Sequence, residues 1–266
     1  MLWMSLMSAA AMQPAAVAAP DSVIVDLVAG EGKQHCLPDR RLCFELAAAE
    51  GGGDLPGNLL VSSPSSGDAE KITLSLPAGF GDGRTLELWP KLIPVPRASD
   101  DGARTGVEYL IGVIVKESTM YSGGGGSGGR LHLLRFGMAP HATALGGEVL
   151  DIVWDSSLSI RACFSEQDMK DRRGVCHDEY EFTGNLTAAA NDGGELPSLT
   201  YRSVATAYPQ TSRRSEDNSG QKLKASDLNP WRDTECSYVR VLRYNPATSR
   251  YEMDRPAPDC SSYTTP

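Results

Sequence analysis

Stretches in which apolar and polar residues alternate recur along this chain, and they constrain its fold more than any other feature. In Lys-Ile-Thr-Leu-Ser-Leu-Pro, residues 71–77, Ile72, Leu74 and Leu76 alternate with polar side chains. Residues 41–46 and 158–165 show the same period, with Phe164 expected on the buried face of the second stretch. Successive side chains of a β-strand point to opposite faces, so a period of two indicates a half-buried strand.

The segment from Tyr109 to Val115 is apolar at nearly every position, which indicates a central strand covered on both faces. Helix signals are weak, and clusters of Gly, Pro, Asn and Asp separate the strands as turns do. The chain is therefore predicted to be all-β, an antiparallel meander. Strand pairs recur about every 40 to 50 residues, a spacing that suits propeller blades, so propeller-like and two-sheet sandwich architectures both stay open.

The first twenty residues carry no charged side chain and end in small residues. Ala16-Val17-Ala18 fits the A-x-A cleavage pattern, although no Lys or Arg precedes the apolar run. We therefore predict a signal peptide over 1–18 and a single all-β domain over 19–266, exported to the periplasm or secreted. No apolar run approaches the roughly 20 residues that a transmembrane helix needs.

The cysteine count agrees with export, because an even number of cysteines in an exported chain indicates disulfides. The six fall into three local pairs, and pairing between neighbours is the simplest expectation: Cys36 with Cys43, Cys163 with Cys176, and Cys236 with Cys260. The strand pattern places Cys43 and Cys163 on polar faces, from which they can bridge hairpins. Closing the loop between Cys163 and Cys176 is expected to stabilise by about 3 kcal/mol.

Residues 161–182 raise the question of a metal site, because a Cys-His-Asp-Glu string follows the second cysteine. Zinc would take Cys163, Cys176, His177 and an aspartate, but adjacent Cys176 and His177 point to opposite faces of a strand. Calcium would take oxygen ligands from the acidic residues of the loop 166–179, whose spacing does not match an EF-hand: these are Asp168, Asp171, Asp178 and Glu179. We predict a disulfide here, with no metal and no cofactor.

The remaining motifs do not identify catalytic residues. Gly125-Gly126-Ser127-Gly128-Gly129 matches G-x-S-x-G, but a strand follows it instead of the helix that a nucleophile elbow requires. The stretch 121–130, which contains this glycine run, is predicted to be a long flexible hairpin tip, and the polar stretch 209–227 to be functional or disordered. The four histidines, His35, His132, His141 and His177, lie in no local catalytic or metal signature. Aromatic residues near the C-terminus are expected to pack in the core: Trp231, Tyr238, Tyr244, Tyr251 and Tyr263.

A net charge of −9 disfavours nucleic-acid binding, which depends on clustered Lys and Arg. The sequence thus predicts an exported, non-catalytic binding or structural protein whose partner is a protein, a peptide or a glycan. One alternative is an exported hydrolase with a dispersed active site, which requires a pocket holding a nucleophile or a carboxylate pair beside a base. Others are an inhibitor of a basic extracellular enzyme, favoured by the acidic charge, and a calcium-stabilised adhesin.

Overall fold

A computed structural model describes residues 23–47, 57–63, 71–77, 79–80, 84–95, 107–139, 142–189 and 195–265. Within these ranges the chain is mainly β-strand with two short helices, which confirms the predicted all-β class. The predicted signal peptide, residues 1–18, lies outside the described residues and stays a prediction. Among the described residues, no helix has the length and apolar character needed to cross a membrane.

Fifteen strands follow one another within the described ranges, with one α-helix before β11 and another after β15. In chain order they are β1 (Val25–Asp26), β2 (Val28–Ala29), β3 (His35–Cys36), β4 (Cys43–Ala47), β5 (Asn58–Ser62), β6 (Lys71–Ser75), β7 (Thr85–Val95), β8 (Val107–Tyr121), β9 (Gly124–Ala139), β10 (Ala142–Arg161), α1 (Glu166–Asp171), β11 (His177–Ala188), β12 (Leu199–Tyr208), β13 (Trp231–Asp233), β14 (Val239–Asn245), β15 (Arg250–Met253) and α2 (Ser261–Thr264).

Two antiparallel sheets contain these strands. The larger sheet has the order β1-β7-β8-β9-β10-β11-β12-β14-β15, and β13 also pairs with β12. The smaller sheet has the order β2-β3-β4-β5-β6. Most connections join neighbouring strands, as expected for a meander.

Two apolar cores hold the layers together. One core joins the smaller sheet to one face of β7, β8 and β9, with Phe44 and Phe136 in edge-to-face contact at 5.5 Å between ring centroids. The other core collects side chains from β7–β10 and from β11–β15, so the larger sheet folds over on itself. The hydroxyl of Tyr201 donates to the carbonyl of Val153 at 2.6 Å across this fold. The arrangement corresponds to the packed-sheet alternative, and residues 109–115 of β8 are covered on both faces as predicted.

The three predicted cysteine pairs all lie at disulfide distance, with Cα–Cα separations of 3.9, 4.8 and 5.7 Å in chain order. The bridge between Cys163 and Cys176 closes the connection from β10 to β11, which contains α1. Cys43 and Cys163 are buried instead of lying on polar, solvent-facing sides. Phe164 is exposed, so its expected place on a buried face is wrong: β10 ends at Arg161, and the strand alternation stops there.

The hairpin tip predicted over residues 121–130 is present but much shorter than expected. Residues 124–129 belong to β9 and pair with β8 on one side and β10 on the other, and the turn is confined to residues 122–123. Gly124 has φ +154°, and a Cβ there would lie 2.1 Å from the Ser159 carbonyl oxygen. Glycine is therefore needed for the close approach of β9 to β10.

The polar stretch 209–227 is ordered against the α1 loop, although its composition suggested function or disorder. Arg172 follows α1, is fully buried, and pairs with the carboxylate of Asp178. Its guanidinium also donates to the carbonyls of Val175 and Asn218, which attaches the polar stretch to the loop. Buried guanidinium groups need such complete pairing, because an unpaired charge is costly to bury.

Candidate functional site

One end of the larger sheet leaves a broad face uncovered. In an antiparallel sheet, residues directly opposite one another point to the same side. The register places Met120, Gly125, Ser159 and Glu179 in one row across β8, β9, β10 and β11. The next row contains Ser118, Ser127, Ser157 and Glu181. We call these eight residues the open face, and each of them is exposed or half-buried.

The opposite side of β10 and β11 is covered by the C-terminal part of the chain. The hydroxyl of Ser156 donates to the carbonyl of Tyr263, which holds α2 against β10. Tyr180 lies under the polar stretch, with its hydroxyl 2.6 Å from the Ser212 hydroxyl, and burial raises the pKa of Tyr180. At this end of the sheet, one side of β10 and β11 is thus packed, while the other meets solvent.

Exposed apolar side chains lie on the open face and next to it. Met120 is 91% exposed and Phe164 is 64% exposed, although both are large apolar residues. The guanidinium of Arg161 lies over the Phe164 ring, 5.3 Å from its centroid. Tyr121 ends β8 and Met169 lies in α1, so four of the five large exposed apolar side chains among the described residues belong to segments at this end of the larger sheet. Large exposed apolar patches mark interaction surfaces.

A second candidate site lies at the bulged part of β9 and β10. His132 Nδ1 is 2.7 Å from Glu148 Oε2, and His132 Nε2 is 3.7 Å from Asp151 Oδ1. The Phe80 ring packs edge-on against the imidazole, with 4.9 Å between centroids. We call His132, Glu148 and Asp151 the His132 cluster. It places a base beside a carboxylate pair, which is what the dispersed active-site alternative requires.

Two arginines balance the charge of the His132 cluster. Arg130 Nε lies 2.7 Å from Asp151 Oδ1, and Arg250 from β15 pairs with the other oxygen of Glu148. A cavity of about 230 Å³ opens beside His132 and Asp151 and is also bordered by Arg84, Glu117 and Thr264. The two arginine charges therefore offset the two carboxylate charges, and the cluster is open to solvent.

The residues of the Cys-His-Asp-Glu region have structural roles. Asp168 caps α1 by accepting from the backbone N–H groups of Phe164 and Ser165, and the bond from Phe164 is the main cause of its lowered pKa. Asp178 is committed to the Arg172 ion pair, and His177 is exposed. These two aspartates are thus occupied by protein partners, which weakens the case for calcium in the loop 166–179.

The other candidate residues are spread over the molecule. Ser127 lies near the start of β9 opposite Ser118 and Ser157, within a strand and not in the flexible tip that the sequence predicted. His35 is in β3, with its Nδ1 buried and without a hydrogen bond, and His141 falls outside the described residues. The C-terminal aromatic residues contribute to the core around β14 and β15 or pack against it, as predicted.

Sequence reasoning missed the His132 cluster because Glu148 and Asp151 are three residues apart. In a regular strand that spacing puts them on opposite faces. A β-bulge between Glu148 and Leu150 inserts an extra residue, so both carboxylates lie on the same side of the sheet as His132. No alternation in the sequence signals the bulge, and only the charged residues within an apolar strand hint at it.

Comparison of the chain with protein-family models, with curated proteins and with solved structures gave no significant match.

Proposed function

We propose that this chain is an exported, non-catalytic binding protein that contacts a protein partner through the open face. The observation that carries the proposal is the open face itself, an uncovered sheet surface that includes the exposed Met120 and lies beside the exposed Phe164. Three disulfides support export, since such bonds persist in oxidising compartments.

The shape of the open face favours a macromolecule over a small ligand. Small molecules bind in concave pockets, whereas protein interfaces are broad and nearly flat. Gly125, Ser127 and Ser157 have little or no side chain, so a partner backbone can approach the sheet closely. Met, Arg and aromatic residues are enriched at protein interfaces. Met120 supplies one of these types on the open face, and Arg161 and Phe164 supply the others beside it.

The proposal is tested by affinity capture from the exported fraction of the cell that makes the protein. Ser127→Arg places a long charged side chain on the open face, where it points to solvent and should leave folding unchanged. Thr248→Arg, in the exposed turn between β14 and β15, is the matched control. Wild type and Thr248→Arg should retain the same partner, and Ser127→Arg should lose it while keeping the wild-type melting temperature.

Equal capture by Ser127→Arg and wild type would contradict the proposal. The salt dependence of capture narrows the partner class, because a net charge of −9 attracts basic proteins and salt screens that attraction. If the captured partner is a basic enzyme whose catalytic activity is lost in the complex, the result would favour the inhibitor alternative.

An exported hydrolase is the second candidate, and the His132 cluster is the observation that favours it. The test is a panel of chromogenic esters, peptides and glycosides, assayed with wild type and His132→Ala. Turnover by wild type that His132→Ala lacks would favour the hydrolase. Equal background rates in the two proteins would contradict it.

A further inference from the structure

We propose that His132 and Asp151, supported by Glu148, bind a divalent transition-metal cation such as zinc. The inference concerns the His132 cluster alone and does not depend on the open face. Imidazole nitrogen and carboxylate oxygen are both common zinc ligands. The candidate ligand atoms of His132, Glu148 and Asp151 all lie within 4.8 Å of one another.

The hydrogen bond from His132 to Glu148 prepares the imidazole for a metal. With a neutral ring, Nδ1 donates its proton to Glu148 Oε2 at 2.7 Å, which leaves the lone pair on Nε2. A carboxylate that holds the second nitrogen of a histidine ligand is the usual support in zinc sites. Glu148 is therefore assigned as the positioning residue, and Nε2 of His132 as the ligand atom.

The distance between His132 Nε2 and Asp151 Oδ1 suits a bridging cation better than a direct contact. At 3.7 Å the two atoms are too far apart for a hydrogen bond. Zinc binds nitrogen and oxygen ligands at about 2.0–2.2 Å, so an ion between the two atoms fits at an angle near ~120°.

The remaining coordination positions face solvent. The cavity of about 230 Å³ borders both His132 and Asp151, which leaves room for water ligands. Glu117 also borders the cavity, but its carboxylate pairs with Arg84 Nε at 2.7 Å. A site with two protein ligands and water is expected to bind more weakly than a structural zinc site with four protein ligands.

Arg130 provides an internal test, because it competes with the cation. Its Nε lies 2.7 Å from Asp151 Oδ1, and its side chain is half-exposed and free to move into solvent. Removing the guanidinium with Arg130→Met leaves Asp151 available and lowers the local positive charge. Arg130→Met should therefore bind zinc more tightly than wild type, a result that unspecific surface binding would not give.

The test is isothermal titration of the full mature chain with zinc chloride, with melting temperatures as a check of folding. We expect one zinc per chain in wild type and no binding at this site in His132→Gln and Asp151→Asn. Glu148→Gln should weaken binding by about 10- to 100-fold, as loss of a supporting carboxylate does in other sites. His177→Gln, which changes an exposed histidine on β11, should bind as wild type does.

Two outcomes would overturn the inference. One is the absence of stoichiometric zinc binding in folded wild type. The other is unchanged binding in His132→Gln, which would place the ion elsewhere. Neither result bears on the open face, so failure of this inference and failure of the proposed function are distinguishable.

Discussion

Replacing Arg172 by Met should destabilise the protein strongly, because it breaks a fully buried ion pair. The guanidinium has no exposed surface, and the side chain of its partner Asp178 is only 3% exposed. The substitution leaves a buried carboxylate without its cation and removes donors from the carbonyls of Val175 and Asn218. Removing one partner of such a pair costs about 3–5 kcal/mol, so the free energy of unfolding should fall by that amount.

Urea denaturation followed by tryptophan fluorescence measures this loss, and limited trypsin digestion reports where it acts. Because Arg172 holds Asn218, the polar stretch should be cleaved faster after Arg213 and Arg214 in the variant. Lys170→Met, on the exposed part of α1, is the control and should change stability by less than about 0.5 kcal/mol. A loss below about 1 kcal/mol with unchanged digestion would refute the argument, since it falls short of the cost of an unpaired buried charge.

Three further predictions concern the scaffold. Non-reducing peptide mapping should recover the three neighbouring cysteine pairs as bridges, and any other pairing would contradict the fold. Gly124→Ala should cost about 1–3 kcal/mol, because its methyl group meets the Ser159 carbonyl. Gly137→Ala, which has open space, should be nearly neutral in the same denaturation assay. Burial raises the pKa of Tyr201, so as pH rises its hydroxyl is deprotonated in the unfolded state, at about pH 10, before it is deprotonated in the folded state. The free energy of unfolding should therefore decline as pH rises above about 10, less steeply in Tyr201→Phe, and an identical slope in both proteins would contradict this.

The fold class and the disulfides were predictable because they depend on local patterns. Alternation specified the strands, and the central position of β8 followed from its apolar residues on both faces. The local spacing of the cysteines favoured neighbour pairing, which the structure has. Phe164 was placed wrongly because alternation does not reveal where a strand ends, and β10 ends three residues earlier.

The functional surfaces were not predictable because they depend on long-range packing. The glycine run has the composition of a flexible loop. It nevertheless pairs with β8 and β10, and it supplies Gly125 and Ser127 to the open face. The covered side of β10 and β11 is packed by the polar stretch 209–227 and by α2, and α2 lies more than a hundred residues after β9 begins. The His132 cluster needs a β-bulge, and Glu148 gains Arg250 from a strand that is distant in sequence.

The most direct test of the central claim is site-specific photo-crosslinking in the exporting cell, with the reactive side chain placed at Ser127. If the open face binds the partner, we expect a crosslinked protein partner at position 127 that is absent when the same side chain replaces Thr248. Equal crosslinking at both positions, or crosslinking at Thr248 alone, would contradict the assignment of the open face as the binding surface.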